Sequence, residues 1–181
     1  MERREKCFRS LTFVLFILFL IWIFLQFSSP LALPKNSVQN LSGLVVVYDN
    51  EHTIDNMDFP WSIVYSTGDR LCHQKVERSF FVNGNQMPFC SRCTAIFFGL
   101  AAGLGFMIFY QIQLNEKFLL AIIVSIIPLA LDGVGQLFNL WESTNLIRVI
   151  TGLLTGTVFG LAIAIIIDEI KTIHIFKNYK N

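Results

Sequence analysis

The chain has 181 residues, 54% of them hydrophobic, with eighteen Phe and a formal charge of +1. A mean hydropathy of +0.57 sets it apart from water-soluble domains of this length, and the near-neutral charge removes the electrostatic basis for nucleic-acid binding. One helical membrane domain with a single polar insertion is the scale that fits, and neither an internal repeat nor a low-complexity tract interrupts it.

In chain order, a basic tail over 1–10, with Arg3, Arg4, Lys6 and Arg9, precedes a run of Leu, Ile and Phe from Leu11 to about Phe27. A first transmembrane helix is expected over 11–33. The basic flank also suits a cleaved signal, but the apolar run exceeds the usual h-region and no small-x-small site follows it, so it reads as a signal anchor. A polar loop occupies 34–92. A three-helix membrane core then fills 93–168, with apolar segments near 94–110, 118–138 and 147–167, before a tail over 169–181. Each segment covers roughly 25–30 Å at about 1.5 Å per residue, enough to cross a hydrocarbon core of about 30 Å.

The basic tails, including Lys171, Lys177 and Lys180, and Lys117 between the second and third segments, belong in the cytoplasm by the positive-inside rule. The loop over 34–92 and the short connection between the third and fourth segments then lie outside. Within the loop, "LVVVY" at 44–48 and "WSIVY" at 61–65 read as strand-like runs forming a small β-like cap or re-entrant lid. Asn83-Gly84, between apolar stretches, favours a type I′ hairpin turn because both residues tolerate positive φ. Such a hairpin would fold Cys72-His73 back toward Cys90 and Cys93.

Cys90-x-x-Cys93 follows Cys72, itself next to His73, after a spacer of 17 residues, which matches half of a two-knuckle zinc pattern. Adjacent side chains point to opposite faces in extended chain. The expected ligands are therefore Cys90 and Cys93 with Cys72 or His73, the fourth position taken by the other, by a carboxylate or by water. A structural disulfide and a redox-active pair are the rival readings of thiols in an oxidising compartment.

Asp132 lies deep in the third segment, where a carboxylate costs about 2.5–3.5 kcal/mol and is a functional-site hypothesis by default. Gln136 follows on the same helical face. Ser143, Thr144 or Asn145 suits the N-cap of the fourth segment. Arg148 would then sit in its first turn against the helix dipole, in need of a partner such as Asp132 or Glu142. Gly152, Gly156 and Gly160, and Ala95, Gly99 and Gly103, form two small-residue stripes that would let the second and fourth helices approach closely. Their packing would bring Arg92 and Arg148 to one mouth of the bundle. Topology places the thiols, Asp132 and the arginines at that same end.

The motifs "CHQ" at 72–74, "ERSF" at 77–80, "PFCSRC" at 88–93, "DGVGQL" at 132–137 and "ESTNLIRVITG" at 142–152 together resemble a family of uncharacterised prokaryotic polytopic membrane proteins, domain of unknown function 2085. The similarity covers about 65–160. It implies a polytopic membrane fold and adds Gln74 and Arg78 to the residues expected at the site, but brings no cofactor, substrate or reaction.

The expectation is an all-α integral membrane protein with four transmembrane helices and a partly β-like extracytoplasmic loop between helices 1 and 2. Its site would hold zinc on Cys72, His73, Cys90 and Cys93, with Asp132 and Glu142 as acid/base or supporting groups. Arg92 and Arg148 would hold an anionic group such as a lipid phosphate, with Gln74, Arg78, Gln136 and Asn145 binding substrate or supporting the ligands. One alternative is a thiol–disulfide oxidoreductase using Cys90 and Cys93, with Cys72 as resolving thiol. The other is a transporter or accessory membrane subunit built around Asp132.

Overall fold

The computed structural model describes residues 2–178 except Gln111 and Asn139, with side chains described within 11–170. The basic side chains assigned to the two tails lie outside that range. Six helices and one hairpin run in the order α1 (Glu2–Ala32), α2 (Glu51–Ile54), α3 (Trp61–Leu71), β1 (Ser79–Val82), β2 (Asn85–Cys90), α4 (Ser91–Phe109), α5 (Glu116–Leu137) and α6 (Asn145–Asn178). Four of them contain stretches long and apolar enough to cross a membrane: Leu11–Ala32, Ser91–Phe109, Glu116–Leu137 and Asn145–Ile170. The protein is a multi-pass membrane protein, and its long apolar helices imply contact with the lipid bilayer.

The α4–α6 pair is the axis of the bundle. A Cβ on Gly99 would strike the Leu153 carbonyl and the Thr157 amide; one on Gly156 would strike the backbone of Ile96; and Gly103 and Gly160 meet one turn further along. In hydrocarbon, where burying apolar surface between helices gains little, this backbone proximity is what holds two helices together. Around the axis, α1 packs on α4 through aromatic edges: Trp22 and Phe89 each meet the Phe97 ring edge-on, at 6.2 and 5.4 Å between centroids. The α5 helix joins α6 through a hydrogen bond from Thr155 Oγ1 to the Ser125 carbonyl, 2.9 Å. Its own start is capped by Asn115, whose side chain accepts the Phe118 amide at 2.9 Å.

The hairpin is antiparallel, with Val82 paired to Asn85 across Asn83 (φ +55°) and Gly84 (φ +73°). Two consecutive positive φ values make it the type I′ turn that Asn-Gly dictates. Buried amide side chains lace the hairpin to the rest. Asn85 Nδ2 donates to the carbonyls of Pro30 and Pro34, each at 2.9 Å, which satisfies acceptors at the end of α1, and its Oδ1 accepts the Val38 amide at 3.0 Å. Gln86 Oε1 accepts the Leu41 amide at 3.2 Å, and the Tyr65 hydroxyl donates to the Gln86 carbonyl at 2.7 Å.

Two expected strands are absent. "WSIVY" opens α3, whose buried residues Val64, Tyr65, Gly68 and Asp69 recur at helical, not alternating, spacing. "LVVVY" is irregular chain in which Val46 takes φ +71° and donates its amide to the Arg70 carbonyl at 2.9 Å. A left-handed residue in mid-run is incompatible with a strand.

Candidate functional site

Three elements deliver the three thiols. Cys72 terminates α3, Cys90 ends β2, and Cys93 sits in the first turn of α4. The hairpin register, with Ser79 opposite Cys90, returns the chain to the end of α3. The Sγ atoms of Cys72, Cys90 and Cys93 lie within 4.8 Å of one another, and the Cys90 amide donates to Cys72 Sγ at 3.2 Å. All three thiols are free, Cys72 and Cys90 buried and Cys93 half-buried.

The electrostatics of the trio favour one thiolate. Cys90 is pulled far below the ordinary thiol range because Cys72, then Cys93, hydrogen-bond to its sulfur, with help from the Cys93 and Arg92 amides at the start of α4. Cys72, the donor in that arrangement, is pushed up by the same bonds and by burial.

Sulfurs on a tetrahedral ion with bonds of about 2.3 Å stand roughly 3.8 Å apart. Two buried thiols and one half-buried thiol within 4.8 Å of one another form a donor set that could hold a metal ion. The exposed His73 lies outside that group, although it lines the cavity beside it.

That cavity, of about 170 Å³, is lined by Cys72, Cys90 and Cys93 together with Arg78, Arg92 and Arg148. Arg92, on α4, forms an ion pair with Asp132, which is 5% exposed on α5. Gln136 Nε2 donates to Asp132 Oδ2 at 3.0 Å, and Trp141 Nε1 reaches Oδ1 at 3.5 Å. Gln136 Oε1 in turn accepts from Arg148 at 3.0 Å. Arg148 also donates to Asn145 Oδ1 at 3.2 Å and to the Glu77 carbonyl at 3.1 Å, and Ser91 Oγ donates to the same Asn145 oxygen at 2.9 Å. One chain of hydrogen bonds therefore joins the start of α4, the end of α5, the start of α6 and the segment before the hairpin. Thr144 Oγ1 accepts the Ile147 amide at 3.3 Å, one of the capping positions read from the sequence.

The partners differ from expectation in one respect. Arg148 bonds neutral oxygens only, while the carboxylate of Asp132 is taken by Arg92. Glu142 is exposed and lines an adjoining polar cavity of about 340 Å³ with Glu77, Arg78, Gln136 and Arg148. Asp132 lines neither cavity. Gln74 is fully buried; its amide donates to the Pro88 carbonyl, and its own carbonyl accepts from Gln86 Nε2. It braces β2 behind the thiols. Sequence reasoning missed the Arg92–Asp132 pairing and the bracing by Asn85 and Gln86. Only the occurrence of amides in an otherwise apolar stretch signalled the latter.

An uncharacterized protein of Methanocaldococcus jannaschii is 37% identical over 97 residues, 51% of this chain and 61% of that relative, so the chain spans less than two thirds of its length. An uncharacterized protein of Methanothermobacter thermautotrophicus is 36% identical over 93 residues, 51% of this chain and 82% of that relative. No solved structure matches. The stretch from Cys72 through Arg148 lies wholly inside residues 72–166, which match the family described as predicted membrane protein (DUF2085), and the chain belongs to that family.

Proposed function

We propose that this protein carries a zinc ion on Cys72, Cys90 and Cys93, with the fourth position open to the arginine-lined cavity, and that it acts there on an anionic, membrane-associated substrate. The observation that carries the reading is the convergence of three thiols from three elements on one point. A redox pair needs only two sulfurs in contact; a third within 4.8 Å of both supports a thiolate metal centre. Three protein ligands with an open position is the pattern of catalytic rather than structural zinc.

When bound, zinc supplies Lewis acidity toward a substrate oxygen. The chain's own residues do the rest. Arg78, Arg92 and Arg148 neutralise and orient the anionic group; guanidinium forks match the geometry of phosphate or carboxylate oxygens. Asp132 is a positioning residue, since it fixes Arg92 and Gln136 without facing either cavity. Glu142, exposed on the adjoining cavity, is the carboxylate placed to exchange protons with water. His73 at the cavity wall is available to bond the substrate or to complete the ligand set. The basic flanks of the chain support a non-cytoplasmic position for this end of the bundle.

The test is metal and thiol content on one sample purified without chelator. About one zinc per chain is expected, with its loss in Cys90→Ser. Metal-free protein holding a reversible Cys90–Cys93 disulfide would overturn the reading in favour of a thiol–disulfide oxidoreductase.

A further inference from the structure

A second cavity meets the first. It is an apolar groove of about 470 Å³ between α1 and α4, roofed by Thr67 and Leu71 of α3 and floored by Phe89, Phe97 and Cys93. Its aromatic wall is rigid: Trp22 packs edge-on against Phe89 at 5.8 Å between centroids, and Phe89 against Phe97 at 5.4 Å. Its lips are not closed. Leu18 is 54% and Leu71 69% exposed, which opens the groove sideways toward the hydrocarbon that surrounds the spans.

Leu71 and Cys93 line both this groove and the arginine cavity, so the two spaces lie back to back across that pair. The polar side gathers three guanidinium groups around the thiols. Asp132 offsets Arg92, and Glu77 stands 3.7 Å from Arg78. Arg148, 3% exposed, has no carboxylate partner among the described residues, and the Nε atoms of Arg78 and Arg92 are buried without an acceptor. A buried cation bonded only to neutral oxygens is costly unless an anion joins it. The cavity of about 170 Å³ has room for a phosphate- or carboxylate-sized group beside the guanidinium groups.

We infer that the groove and the arginine cavity together form the binding site of one membrane amphiphile, an anionic lipid with a small headgroup. The chain lies between α1 and α4, the head is held by Arg78, Arg92 and Arg148, and the junction between them passes Cys93. The inference rests on the anion-holding role proposed above and names the substrate class for it. The lipid enters from the bilayer and not from the aqueous phase, so its affinity depends on both halves at once.

Binding to the full chain in detergent tests this with three probes: phosphatidic acid, phosphatidylcholine of the same chains, and glycerol phosphate. Phosphatidic acid is expected to bind at least about tenfold more tightly than either. Thr67→Phe, which narrows the groove at a half-buried position away from the thiols, should lower that affinity about tenfold while the metal content stays unchanged. Arg148→Gln should erase the preference over phosphatidylcholine, and Arg148→Lys should restore part of it. Phosphatidic acid with a chain-terminal diazirine should crosslink wild-type protein at the groove walls, Trp22 and Phe97 among them. Equal affinity for both lipids would overturn the inference, as would glycerol phosphate binding as tightly as phosphatidic acid, or crosslinks spread over all exposed span faces. Metal-free protein that still selects phosphatidic acid would defeat the zinc reading alone and leave the lipid site standing.

Discussion

Asp132 puts a negative charge into the largely aliphatic helix α5, and the charge is tolerated because Arg92, Gln136 and Trp141 converge on it. Removing one member of a buried pair strands the other, at a cost of about 3–5 kcal/mol, whereas replacing both with apolar groups is often nearly neutral. Arg92 retains 23% side-chain exposure and can reach water when left alone. Asp132→Asn is therefore expected to cost about 2–3 kcal/mol, less than a fully buried break. Arg92→Met combined with Asp132→Leu should recover at least half of that loss in reversible denaturation. Zinc content should stay the same in both variants, because neither substituted side chain supplies a ligand and the Arg92 amide that reaches the Cys90 sulfur is kept. Additive losses in the double variant would show that the two side chains act separately.

At the scale of elements, the close approach of α4 and α6 sets the spacing of the site, because Gly152 lies against the carbonyl of Arg92 one turn from Arg148. Overpacking such a contact costs about 1–3 kcal/mol, occasionally more. Gly99→Ala, whose Cβ would strike the α6 backbone, is expected at the upper end of that range by thermal denaturation. Gly105→Ala meets only the Phe16 ring, which can turn aside, and is expected to cost under about 1 kcal/mol. Equal losses would contradict the backbone contact.

Both stripes, the four spans and the hairpin were legible in the chain itself, since each rests on local periodicity or on turn chemistry such as Asn83-Gly84. "WSIVY" was misread because a short apolar run of β-branched and aromatic residues fits a strand or a helix equally. What settles it is tertiary, the burial of Val64, Tyr65 and Gly68 on one helical face. The pairing of Arg92 with Asp132, 40 positions apart, depends on how two helices are rotated about their axes, which composition does not encode. The groove beside Cys93 was unreadable for the same reason.

For the whole molecule, we propose that four crossings with basic flanks on one side set the region from residue 34 to Cys90, and with it the arginine cavity, on the membrane face opposite the tails. Glu51→Cys at an exposed position of that region should label in intact cells with a membrane-impermeant maleimide, and labelling only after lysis would invert the orientation. The segment that matches the family begins at Cys72 and carries every thiol and arginine of the proposed site. The outer walls of the apolar groove come from elsewhere: Leu15, Leu18, Phe19 and Trp22 of α1, and Thr67 and Leu71 of α3. On the proposed reading, the headgroup site and the outer walls of the tail groove are thus written in different stretches of the chain. Mutational drift in α1 would then retune which hydrocarbon tail is admitted while the thiols and arginines stay untouched.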